Sequence, residues 1–328
     1  MVGAVLVRHT GPPEVLHWGR TSVATPTSLD VVVDVRAAGV NNADLLQREG
    51  AYPVPAGASQ VLGLECSGVI SRVGSEVTDW SVGDPVCALL SGGGYAEQVV
   101  VPAAQLLPKP GSCTFVEAAA LPEAACTVYA NLAMKAALGS GMTLLVHGGT
   151  SGIGSFAIQW AKAIGARVIT TAGTSAKVER VRELGADVAI NYREENFLEA
   201  TLEATEGRGV DVILDIVGAP YLDRNTRCLA PDGHLVIIGG DLSPGALDLA
   251  SLFTRRASMS ATTLRSRPAR QKAEIVAAVR SHVLPLVEQG RIRPLVDTVL
   301  PMDRAAEAHR LLSEGRVMGK VVLTPPGG

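Results

Sequence analysis

Residues 143–154 read T-L-L-V-H-G-G-T-S-G-I-G, and this run decides the fold. Thr143 to Gly148 is a short, nearly continuous apolar stretch, the pattern of a buried strand. It runs straight into a glycine turn, and Ile153 to Ile164 follows as a helix that is apolar on almost every side. A strand, a glycine turn and a helix in that order bring unpaired backbone N–H groups and the positive end of a helix dipole to one point, where a pyrophosphate can bind. Gly149, Gly152, Ile153 and Gly154 are therefore expected to hold the pyrophosphate, and Gly154 also to let the helix lie close to the strand. The run departs from G-x-G-x-x-G because Ser151 stands at the second glycine position, where its hydroxyl is expected to assist phosphate binding.

The rhythm repeats beyond the turn. Arg167 to Thr171 reads as the next strand, and Lys177 to Leu184 puts Val178, Val181 and Leu184 on one helical face. Val188 to Asn191, Val210 to Val217 and His234 to Gly239 continue as strands, and Ser258 to Leu264 supplies a sixth. Strands alternating with helices imply a parallel sheet covered on both faces. Six of them over residues 124–264 predict an α/β, doubly wound Rossmann domain that binds a dinucleotide.

The end of the second strand chooses the cofactor. An NAD site usually has an acid there, about 20 residues after the glycine turn, for the ribose 2′-hydroxyl. This chain reads T-A-G-T-S-A-K from Thr171 to Lys177. No carboxylate is present to repel a 2′-phosphate. Gly173, the Thr174 hydroxyl and the Lys177 ammonium would accept one, so NADPH is favoured over NADH. Tyr192, after the third strand, can reach the same phosphate. The alternative for Lys177 is an ordinary solvated helix position.

The flanks differ. Residues 1–123 hold short alternating stretches (Leu29 to Val35, Gly68 to Val73, Glu97 to Val101) between glycine turns such as Gly92 to Gly94, the signature of a barrel-like β unit. Residues 265–328 hold helices at Ala273 to Glu288 and Arg304 to Glu314 and a last strand, Lys320 to Thr324. That is too little sheet to stand alone, so the segment is expected to return and complete the first unit.

Composition narrows the class. A chain of 328 residues suggests about two domains. With 47% hydrophobic and 19% charged residues it can bury a core and is not a disordered chain. A net charge of −3 without a basic stripe gives no reason to expect nucleic acid. No apolar run approaches the roughly 20 residues of a membrane span, and Met1 to His9 reads as a strand rather than a signal peptide. The five cysteines are scattered and never in C-x-x-C spacing, as free thiols of a cytoplasmic protein would be. None of the six histidines pairs with a cysteine at zinc spacing, so no metal is expected. No G-x-S-x-G elbow offers a nucleophile.

Taken together, these residues resemble the medium-chain dehydrogenase/reductase superfamily over essentially the whole chain, with a GroES-like catalytic part, an inserted nucleotide domain and a return. Within it the chain is similar to the zinc-free quinone oxidoreductases, especially the tumour-suppressor-inducible subgroup. The stretches that carry the likeness are A-A-G-V-N-N-A-D-L-L-Q-R-E-G (Ala37 to Gly50), Y-P-V-P-A-G-A-S (Tyr52 to Ser59), L-G-L-E-C-S-G (Leu62 to Gly68), A-L-L-S-G-G-G-Y-A-E (Ala88 to Glu97), A-A-A-L-P-E-A (Ala118 to Ala124), L-R-S-R (Leu264 to Arg267) and M-G-K-V-V-L (Met318 to Leu323). Where the zinc alcohol dehydrogenases place a zinc cysteine and the histidine of G-H-E, this chain has Asn41 and Leu64, which cannot replace those ligands. Glu65 persists, expected as a hydrogen-bond acceptor or ion-pair partner.

The resemblance implies NADPH-dependent reduction of a quinone or another conjugated carbonyl compound, with an alkenal or enoyl-thioester reductase as the alternative. A reading from another class is an NADPH-sensing or structural binding protein without turnover. By the resemblance, Asn41 and Thr127 lie near the nicotinamide or its ribose. Tyr52 lines the substrate cleft, as a hydrogen-bond or proton donor or as packing. Val217 and Gly239, Gly240 and Asp241 border the cofactor, and Leu264 and Arg265 cover it. Lys320 either reaches the cofactor or solvates the last strand. Ala51 to Ser59 and the region from Leu242 to Phe253 are expected to shape the entrance. A homodimer is expected, with the strand His234 to Gly239 at the sheet edge as the joining element.

Overall fold

A computed structural model describes residues 1–327. The chain divides into two compact units, one of residues 1–126 and 264–328, the other of 127–263.

The second unit carries the expected doubly wound sheet. Its strands are β1 (Thr143–Val146), β2 (Arg167–Ala172), β3 (Val188–Asn191), β4 (Val210–Asp215), β5 (Leu229–Ile237) and β6 (Ser258–Ala261). They lie in the order β3-β2-β1-β4-β5-β6, all parallel. Helix α1 (Gly152–Ala163) follows β1 and α2 (Ser175–Glu183) follows β2. Leu145, Ile169, Ile213 and Leu235 from four neighbouring strands are fully buried on one core with Phe197 and Leu198. One expectation is corrected here: His234 to Gly239 does not form the sheet edge. Residues 234–237 pair along Ser258–Ala261, which is the outermost strand. Sequence alone did not show that β6 continues the sheet on that side.

The first unit holds a seven-stranded sheet ordered Val296–Pro301, Lys320–Thr324, Asp30–Gly39, Glu65–Val73, Pro85–Leu89 and Leu106–Pro108, with Gln98–Pro102 also on Asp30–Gly39. Strand Asp30–Gly39 is central: it pairs antiparallel with three neighbours, including the last strand of the chain at Val322 and Leu323. The run V-V-V at 31–33 is fully buried, as β-branched residues covered on both faces should be. This pairing brings the two ends of the chain into one core containing Val31, Val33, Ile70, Val321 and Leu323. No helix among the described residues is long and apolar enough to cross a membrane.

Candidate active site

In the second unit the candidate residues gather at the carboxyl ends of the parallel strands, where α/β sheets bind ligands. Gly149 and Gly154 are sterically required. A Cβ on Gly154 would lie 2.3 Å from the Gly148 carbonyl oxygen, and one on Gly149 would lie 2.2 Å from Thr170 Oγ1. The Ser151 hydroxyl caps α1 by accepting from the Gly154 N–H at 2.9 Å. The N–H groups of Gly152 and Ile153 come before any carbonyl that the helix could offer them. The cradle thus presents backbone donors with no side chain in the way, and the phosphates of a dinucleotide fit it.

At the end of β2, Thr174 caps α2 by accepting from the Lys177 N–H at 3.3 Å. The Tyr192 hydroxyl lies over Gly173, 2.6 Å from where a Cβ would be. Gly173, Thr174, Lys177 and Tyr192 are thereby brought together. Beyond β4 and β5, Val217 and Gly240 interlock. The Asp241 N–H donates to the Val217 carbonyl at 2.9 Å, and Gly240, at φ +101°, would place a Cβ 2.3 Å from Val217. Nothing lies within 4 Å of a Cβ on Gly239. Thr127 is buried, and its carbonyl accepts from Asn131 Nδ2 at 2.8 Å.

A network that sequence reasoning missed supports these loops. His147 bonds Thr171 Oγ1 at 3.1 Å and Asn225 Oδ1 at 2.7 Å. Asn225 donates to Asp215, whose carboxylate accepts from the Val217 and Gly218 N–H groups. Thr171 Oγ1 also accepts from the Gly148 N–H. One fully buried imidazole therefore ties the glycine turn to the turn at Val217. Burial, more than any other influence, lowers its pKa to about 4, so it is neutral.

The first unit contributes a buried polar cluster. Asn41 precedes the helix Asn42–Glu49 and gives its N–H to Asp44 Oδ2 at 2.8 Å. Its side chain is held from both ends: Nδ2 donates to Glu65 Oε1 at 3.0 Å, and Oδ1 accepts from Lys320 Nζ at 2.6 Å. Lys320 Nζ is also 2.5 Å from Glu65 Oε1. Glu65 is fully buried and Lys320 only 5% exposed. Lys320 is therefore not a solvated residue of the last strand. Glu65 is the acceptor and ion-pair partner expected of it. A zinc ion does not fit this set: the ammonium already neutralises Glu65, and the neighbouring groups are an amide and the buried Leu64. Among the described residues no group of three His, Cys, Asp or Glu could hold a metal.

Tyr52 is half-buried beside the same cluster. The Arg265 guanidinium lies 5.5 Å from its ring centre. Burial, then the nearby Glu123 carboxyl, raise the Tyr52 pKa, and Arg265 opposes them. Arg265 is itself fixed, donating to the Ser91 carbonyl at 2.9 Å and to Gln47 Oε1 at 2.7 Å. Leu264 is buried beside it and accepts from the Arg267 N–H. Sequence reasoning missed two more members, Lys272, which donates to Ser91 Oγ at 2.5 Å, and Glu123. Arg265 and Lys272, with Ser91, Gly92, Pro55 and Ala58, border a cavity of about 880 Å³. The signals were there: Glu123 is the one charge in A-A-A-L-P-E-A-A-C, and Lys272 interrupts the buried face of its helix at Ile275, Val276 and Val279.

Residues 152–280 match the zinc-binding dehydrogenase family, and residues 27–111 the alcohol dehydrogenase GroES-like domain. A quinone oxidoreductase of Pseudomonas aeruginosa is 34% identical over 96% of this chain and 97% of its own length. A solved NAD-dependent alcohol dehydrogenase superposes with a TM-score of 0.87 at 35% identity, over 99% of both chains. The CurK enoyl reductase superposes at 0.88 with 28% identity, again over 99% of both.

Proposed function

We infer the function from the premise that this chain belongs to the medium-chain dehydrogenase/reductase superfamily of oxidoreductases, and propose that it reduces quinones with NADPH and without a metal. The observation that carries this reading is the Lys320 ammonium between Asn41 and Glu65, in a cluster with no thiolate or imidazole ligand. Activation of the acceptor then falls to hydrogen bonds and fixed charges, which suits a carbonyl that is already electrophilic by conjugation. When bound, the reduced nicotinamide supplies the hydride. The N–H groups of Gly152 and Ile153 would hold the pyrophosphate, assisted by the Ser151 hydroxyl and Gly149, and Gly154, whose N–H goes to Ser151, would keep the cradle open. Thr174, Lys177 and Tyr192 around Gly173 would hold the 2′-phosphate, and the missing acid at the end of β2 supports NADPH over NADH. Val217, Gly239, Gly240, Thr127, Leu264 and Arg265 would border the cofactor. Asn41 would be kept in one orientation towards it by Lys320 and Glu65. Tyr52 would direct its hydroxyl at the acceptor's carbonyl oxygen.

The likeness to an enoyl reductase favours one second reading, an α,β-unsaturated carbonyl as the acceptor. A homodimer is also proposed, joined along β6, whose Met259 is exposed. The test is oxidation of NADPH or NADH, followed at the reduced-nicotinamide absorbance, with quinones, alkenals and simple aldehydes, with and without chelator. Chelator-resistant NADPH oxidation fastest with a quinone is expected. Faster reduction of the alkenal would select the second reading. NADPH binding without turnover on any acceptor would overturn both.

A further inference from the structure

Glu123 lies in the first turn of the helix Pro122–Val128 and is the half-buried acid of the first unit's cluster. Donors around it are unevenly shared. Glu65 collects the Lys320 ammonium at 2.5 Å, the Asn41 amide at 3.0 Å and the backbone N–H of Glu123 itself at 2.9 Å. The Glu123 carboxyl has no ion pair or side-chain hydrogen bond among the described residues. The Lys320 ammonium lies against Glu65, and among the described residues neither it nor Lys272 forms an ion pair with Glu123, so a proton is retained on Glu123. The groups acting on it are Glu65, Lys320, Asp44 and Lys272, and it acts in turn on Tyr52, Arg265 and Cys126. Burial and Glu65 together raise its pKa to about 8, with Lys320 and Lys272 opposing.

We propose that Glu123 is the acid that protonates the reduced acceptor, with the Tyr52 hydroxyl orienting the carbonyl oxygen. This deepens the reductase reading and rests on it. The hydride from NADPH brings two electrons to the conjugated system, and an electron pair moves onto the carbonyl oxygen. That oxygen takes the proton as the Glu123 O–H bond breaks. The resulting carboxylate lies within the field of Lys272 and Arg265, both nearly fully buried, and regains a proton from water. Tyr52 is the poorer acid, because burial raises its hydroxyl above the ordinary phenol value.

The test uses the full chain with Glu123→Gln, which keeps the shape and removes the proton. NADPH affinity, read by fluorescence, should be unchanged. kcat with 1,4-benzoquinone and with an alkenal should fall about 100-fold or more. The wild-type kcat should decline tenfold per pH unit above about 8, and the variant should lack that limb. Tyr52→Phe should lower kcat while keeping the limb, as a positioning change does. A readout independent of turnover is the infrared difference spectrum between wild type and Glu123→Gln, which should show a protonated carboxyl at pH 7 that is lost by pH 10. Unchanged kcat in Glu123→Gln, a retained alkaline limb, or no protonated carboxyl band at pH 7 would each overturn the proposal. A wild type inactive on every acceptor would sink the reductase reading, and proton delivery with it. A wild type that turns over while the variant is unimpaired would sink the role of Glu123 alone.

Discussion

Replacing Lys320 with methionine should destabilise the first unit strongly, and the size follows from burial. Glu65 is fully buried and Lys320 nearly so, at an N–O separation of 2.5 Å. An exposed pair of this geometry would contribute about 0–1 kcal/mol. Removing one partner of a buried pair instead leaves an uncompensated charge, at a cost of about 3–5 kcal/mol. The Asn41 amide and the Glu123 N–H would still donate to Glu65, which keeps the expected cost towards the lower end. At roughly 2–4 °C per kcal/mol for a unit of this size, Tm should fall by roughly 6–12 °C. Methionine preserves most of the aliphatic stem, so lost packing contributes little. Urea unfolding of wild type, Lys320→Met, Glu65→Gln and the double variant forms the cycle. The double variant should recover most of the loss, because the orphaned charge is gone. A single-variant cost under about 1 kcal/mol, or a double variant no better than Lys320→Met, would show that the ion pair does not hold this cluster together. The same substitution frees the Asn41 side chain on its oxygen side, so kcat should also drop in whatever material folds.

Lys177→Glu should weaken NADPH binding by roughly 10- to 150-fold, the equivalent of one lost charge-assisted contact of about 1.5–3 kcal/mol, and leave NADH nearly unaffected. Titration of both nucleotides checks this, and an unchanged NADPH/NADH ratio would remove Lys177 from the site. His147 is held neutral with its pKa depressed from 6.5 to about 4. The folded state therefore binds fewer protons than the unfolded one, and this contribution is complete above pH 6.5 and lost as pH falls towards 4. Relative to His147→Gln, the wild type should lose about 3 kcal/mol across that window in urea titrations at stepped pH. Parallel curves for the two proteins would refute it. For β6, sedimentation should give the mass of two copies, and Met259→Lys should shift it towards one; a monomeric wild type would end the dimer reading.

The sheet of the second unit was legible because short, largely apolar runs alternate with segments of helical period along the sequence. Its order was not, since neighbours across a sheet leave no mark in spacing. Ser258–Ala261 is short and largely exposed, so nothing in S-M-S-A announced that it would cover the strand before it. The helix expected from Ala273 to Glu288 is in fact two, Ala269–His282 and Leu284–Glu288. Its apolar period continues across the join, but Pro285 has no N–H for a carbonyl four residues back. Val296–Pro301 was missed as a strand because its V-D-T-V-L-P pattern does not alternate and only Leu300 is buried. Its pairing with Lys320–Thr324 comes from the fold rather than from local propensity.

The candidate site divides along the same line. Its nucleotide cradle is local: the glycines, Ser151 and the start of α1 are neighbours in sequence, so spacing alone finds them. The polar cluster is not, for Asn41 and Lys320 meet across 279 positions. What the sequence shows there is a mismatch at each place, an amide, a leucine and a lone glutamate in otherwise apolar or glycine-rich surroundings. Folding converts the mismatches into chemistry. The central strand Asp30–Gly39 lies between Lys320–Thr324 and Glu65–Val73, so a lysine from the end of the chain reaches a glutamate near its start. Once that ammonium is committed to Glu65, Glu123 is left without an ion pair among the described residues. That one charge in an otherwise apolar stretch is then the acid proposed to hold a proton at neutral pH.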